Sequence, residues 1–99
     1  MEQQQLKIPK SFNLFGELHK IKLVKLIDKG KSLGEWNPDN NTIKLSTQGR
    51  SVDSIEQTYC HEIVHAILDH LSYEHLSHDE KFVDTFSKAL HQILKTSKY

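Results

Sequence analysis

Two histidines and a glutamate form the pattern H-E-x-x-H at His61-Glu62-Ile63-Val64-His65, inside the apolar run from Cys60 to Leu68. On a helix, residues four apart lie about 40° apart around the axis, so His61 and His65 project side by side. Two neutral imidazoles at that spacing can hold one divalent metal ion, typically zinc. Glu62 is not a ligand in such an arrangement. It points toward the remaining coordination position, where a bound water would sit, and serves there as a general base. The expected chemistry is hydrolysis by a Glu-activated, zinc-bound water, with one Zn2+ as cofactor. Two histidines leave that site open, so a third ligand must come from elsewhere.

The candidates differ in geometry. His70 lies about 140° from His65 and 180° from His61 on a continuous helix, so it faces away and reads as surface. Its spacing also misses the extended H-E-x-x-H-x-x-G-x-x-H motif by one residue. His75 and His78 are loop residues within reach. Glu80 and Asp84 lie one turn apart on the helix that follows, Glu80 nearer its apolar stripe. Glu80 has a structural reading as well, as the third helical residue of a capping box with Ser77. Asp84 has one as a group orienting a histidine N–H. Cys60 falls on the buried face and reads as a core thiol.

The elements that must position these residues point to an α+β fold: a small antiparallel sheet of three to four strands packed on two helices. Residues 1–10 read as a loose arm, interrupted by Pro9. Residues 11–48 read as a β-meander: a strand at Phe12–Phe15, another over Leu18–Ile27 with Ile21 and Leu23 on one face, a third at Ser32–Asn37, and Thr42–Thr47 with Ile43 and Leu45 alternating. Asp28–Lys31 and Pro38–Asn41 supply turns. Trp36 reads as a packing aromatic. The active-site helix is expected over 53–72, capped at Asp53 or by the Ser54–Gln57 box. Its buried stripe comprises Cys60, Val64, Ile67, Leu68 and Leu71, with the two histidines on the margin. The second helix is expected over 78–97, its apolar stripe being Phe82, Val83, Phe86, Leu90, Ile93 and Leu94.

The run from His61 to Leu68, followed by Glu80-Lys81-Phe82-Val83-Asp84-Thr85-Phe86-Ser87, resembles small bacterial and phage metallopeptidases of the ImmA/IrrE type. Those show H-E-x-x-H on one helix and an E-x-x-A-[N/D]-x-F-A-like pattern on the next. Val83 and Ser87 stand where that pattern has alanines. The resemblance implies a minimal zincin-like fold, a third metal ligand at Glu80 and a protein or peptide as substrate. Such a peptide would lie along a sheet edge, with Ile43–Thr47 as one candidate strand. Tyr73, His75 and His78 are candidates for stabilising the oxyanion. The rival reading is a non-catalytic, metal-stabilised interaction module, for example a phage or mobile-element regulatory protein.

Composition narrows the remaining classes. Thirteen basic residues balance thirteen acidic ones, which provides no electrostatic footprint for nucleic acid. No apolar run approaches the roughly 18 residues of a membrane span. The single cysteine cannot form an internal disulfide, and Met1–Gln5 carries no signal-peptide pattern, so a cytoplasmic location is expected.

Overall fold

The computed structural model describes residues 7–99, so most of the expected N-terminal arm lies outside the described residues. Of its remainder, Lys10 already joins the sheet, its carbonyl accepting from the Ile21 amide at 3.0 Å. Four strands follow: β1 (Ser11–Leu14), β2 (Glu17–Val24), β3 (Gly34–Asn37) and β4 (Thr42–Ser46). Phe15 and Gly16, between β1 and β2, both have positive φ (51° and 79°). That is the hand that suits a two-residue hairpin turn. Three α-helices complete the described residues: α1 (Val52–His70), the single turn α2 (Glu74–Ser77) and α3 (Glu80–Thr96).

The α+β class holds, but the sheet is mixed rather than antiparallel. Its order is β1-β2-β4-β3, and the central pair β2–β4 is parallel. Burial explains why β4 displaces β3 from the centre. Ile43 and Leu45 are fully buried, whereas β3 (Gly-Glu-Trp-Asn) has the polar character that an edge strand tolerates. A β-meander would have left the most apolar strand on the rim. Of Ile21 and Leu23, read as sharing one face, Ile21 is buried and Leu23 is exposed.

Helix α1 lies between the sheet and α3 and is buried on two flanks. Ile55, Tyr59 and Ile63 pack on Ile21, Ile43 and Leu45 of the sheet. Val64 and Leu68 pack on Val83 of α3. The stripe read from the sequence covers only the α3-facing flank through Val64 and Leu68, and Leu71, expected within it, is exposed. Among the described residues, no helix is long and apolar enough to cross a membrane.

Helix α3 departs further from expectation. Its buried residues are Val83, Ser87, His91 and Lys95, while Phe86 and Ile93 of the expected stripe are 51% and 61% exposed. The helix is thus turned by roughly a quarter turn from the orientation that would bury its apolar stripe best. That rotation brings Glu80 toward α1 and aligns His91 and Lys95 with the buried Glu56.

The helix caps also differ. Ser51, not Asp53 or Ser54, caps α1, its side chain accepting from the Ser54 amide at 3.1 Å. The Ser54 hydroxyl instead receives the Arg50 guanidinium at 2.9 Å. Asp79, not Ser77, caps α3, accepting from the Phe82 amide at 3.1 Å. The segment Tyr73–Leu76, expected as plain connection, is mostly the turn α2. Helix α1 ends in a Schellman arrangement, with Ser72 at φ 62° and the Tyr73 amide bonded to the Leu68 carbonyl at 2.9 Å.

Candidate metal centre

The Asp79 cap makes Glu80 the first residue of α3 instead of the third. Its carboxylate has no capping role and extends across to α1. One oxygen lies 3.3 Å from His61 Nε2 and the other 3.3 Å from His65 Nε2. The two imidazoles meet edge-on, with centroids 5.0 Å apart. One donor atom from each of the three residues lies within 4.8 Å of the others. Two imidazole nitrogens and one carboxylate oxygen converging from two helices make a donor set that fits a divalent first-row metal with a coordination position left open.

The other sequence candidates fall outside this group. Asp84 Oδ1 is 3.9 Å from His61 Nδ1, too far for a hydrogen bond, and Asp84 pairs with Lys88 at 3.0 Å. His78 lines the same cleft as His65 and Glu80. Tyr73 and His75 do not line it and stack edge-on with each other at 6.1 Å. His70 does face away from the pair, but it is not a surface residue. Its Nε2 lies 2.8 Å from Nε2 of the fully buried His19, and its Nδ1 3.4 Å from Glu17. The sheet covers that side of the helix, which its polar sequence had not disclosed. His19 in turn stacks between Phe12 and Trp36, and the Trp36 indole donates to Asp69 at 2.7 Å. Trp36 is therefore the packing aromatic that was expected.

Glu62 is held beneath β3. A Cβ on Gly34 would come within 2.5 Å of Thr58 Cγ2 and 3.0 Å of Glu62 Oε2, so only glycine lets the strand pass this close. Arg50 ties the same end of the sheet to α1. It donates to the Ser46 carbonyl at 2.8 Å, the Leu33 carbonyl at 3.2 Å and the Ser54 carbonyl at 2.9 Å, and also to Thr58 Oγ1. Gly34 carried a legible signal, since an isolated glycine in a strand pattern marks close backbone approach. Arg50 carried none.

Electrostatics follow from this packing. Burial, followed by repulsion from Glu80 and Glu35, pushes the Glu62 carboxyl up to about 7. Burial holds the His65 ring below its usual value, which favours the neutral, ligating form. Burial, then the Glu56 charge, raises the Cys60 thiol to about 11, which agrees with a core thiol and not a ligand.

The chain matches no family model, no curated protein and no solved structure. The site is therefore read from its own residues.

Proposed function

We propose that this chain is a zinc-dependent hydrolase, most simply a peptidase of the kind its H-E-x-x-H and E-x-x-V-D motifs resemble. The observation that carries the reading is the convergence of His61 Nε2 and His65 Nε2 on the Glu80 carboxylate, with the buried Glu62 in the same cleft. His61, His65 and Glu80 would hold the ion. A bound zinc supplies a Lewis acid that polarises a carbonyl and makes a water easier to deprotonate.

The chain's own part is proton handling and positioning. Glu62, buried and lining the same cleft as the three ligand candidates, is the side chain placed to accept and to donate a proton there. Glu62 takes the proton of the attacking water and returns it to the leaving amine. Gly34 keeps the β3 backbone close to that carboxylate, and β3 is an edge strand of the sheet. An extended peptide would pair along β3, which replaces the Ile43–Thr47 segment, since β4 is interior and both its edges are occupied. His78 is the oxyanion candidate that lines the cleft. A reducing, cytoplasmic setting is part of the proposal, supported by the single buried cysteine.

The test is Glu62→Gln assayed on a peptide library together with zinc content. Retained zinc with turnover reduced about 100-fold or more supports the reading. Zinc bound by a wild type that cleaves nothing, with unchanged function in Glu62→Gln, would leave the metal-stabilised interaction module.

A further inference from the structure

Ser77 has a task that no sequence pattern announces. It is the last residue of α2, it is buried, and its Oγ lies 3.1 Å from His65 Nδ1. The Schellman turn at Ser72 and the single turn of α2 fold the chain back so that this hydroxyl meets the ring from behind. The ring's other nitrogen, Nε2, is thereby directed at Glu80. Among the described residues His61 has no equivalent: its Nδ1 is 3.9 Å from Asp84 Oδ1, too far for a hydrogen bond.

We infer that Ser77 is the positioning residue of His65, setting its ring orientation and tautomer for metal binding. This rests on the proposed metal centre and goes beyond it in saying what prepares one ligand. A ligating histidine must present a bare nitrogen to the ion and carry its proton on the other. A hydroxyl can both accept and donate. With Nδ1 protonated, Ser77 Oγ accepts that proton in a hydrogen bond, and Nε2 keeps its lone pair for the ion. Without the ion, the hydroxyl can turn and donate to Nδ1, while Nε2–H donates to Glu80. One side chain thus serves both states, which neither alanine nor a carboxylate does.

The role is tested by zinc affinity, measured by competition with a chromophoric chelator on wild type, Ser77→Ala and Ser77→Thr. Visible spectra of the Co2+-loaded proteins and the thermal midpoints of the metal-free proteins accompany it. Partners of metal-bound histidines typically contribute 10- to 100-fold in metal affinity. The expected result is zinc binding weaker by about that factor in Ser77→Ala, an altered Co2+ spectrum, and recovery of both in Ser77→Thr. Equal affinity and an identical spectrum in wild type and Ser77→Ala would overturn the proposal while leaving the metal centre standing. A wild type that takes up neither ion defeats the metal centre itself. Should Ser77→Ala fail to fold, long-range ¹⁵N–¹H spectra of the zinc-loaded wild type decide. A proton on His65 Nδ1 supports the role, and zinc attached through Nδ1 overturns it.

Discussion

Helices α1 and α3 meet at two polar groups made of the same kinds of side chain, and the two have opposite characters. At one, His61 and His65 converge on Glu80, whose side chain is 70% exposed. At the other, His91 Nε2 lies 3.1 Å from Oε1 of Glu56, which is completely buried, and 3.8 Å from Asp53. The second group could be taken for a metal site by its residue types alone. It differs in containing Lys95, whose Nζ lies 2.9 Å from Glu56 and 3.7 Å from Asp53. An ammonium at that distance already answers the buried negative charge, so a metal ion would have to displace it. The first group has no such cation and opens to a cleft. Resident charge and exposure, more than donor type, separate the proposed metal site from an internal ion-pair cluster.

The strongest way to break this contrast is to remove the carboxylate from each group. Glu56→Ala leaves His91 and Lys95 buried without their main partner and should cost about 3–5 kcal/mol in urea denaturation. Glu80→Ala removes an exposed group and should change the stability of the metal-free protein by less than about 1 kcal/mol. Similar losses from both variants would erase the distinction.

A pH series sharpens the electrostatic side of the open group. The Glu62 carboxyl is raised from 4.5 to about 7, so the folded state favours its protonated form. In the metal-free protein this contribution to stability is fully present below about pH 4.5 and lost as pH rises through about 7. The loss amounts to roughly 3 kcal/mol. His65 is shifted downward, so its contribution runs the other way, being lost as pH falls below its usual value. The difference between wild type and Glu62→Gln isolates the Glu62 part, because His65 is common to both. A difference that stays flat from pH 4.5 to 8 would mean that Glu62 is not desolvated as the structure places it.

The smallest effect probes the apolar part of the same seam. Val83→Ala empties space against Val64 and Leu68 and should cost about 2 kcal/mol. Phe86→Ala, on the exposed stripe, should cost under about 1 kcal/mol by thermal or urea unfolding. A larger loss at Phe86 than at Val83 would contradict the observed rotation of α3.

The sequence disclosed features whose physics is local. The four-residue spacing of His61 and His65 survives in any α-helix, and alternation at Ile43 and Leu45 marks a strand wherever that strand lies. Strand order was not legible, because placing β4 between β2 and β3 depends on how much each strand buries against helices far along the chain. The caps misled for a similar reason. Ser51, Asp53 and Ser54 all suit a helix start, and so do Ser77 and Asp79. Ser54 is engaged instead by Arg50 just before the helix, and Ser77 by His65 of another helix.

Spacing alone thus determined that His61, Glu62 and His65 share one side of a helix, and that two helices follow a small sheet. Tertiary structure decided which carboxylate reaches the histidines. It did so through the Asp79 cap, which starts α3 at Glu80, and through the rotation of α3, which turns exposed phenylalanine and isoleucine outward while aligning Glu80, His91 and Lys95 with α1. A helix presents every face equally in sequence, and only its neighbours determine which face turns inward.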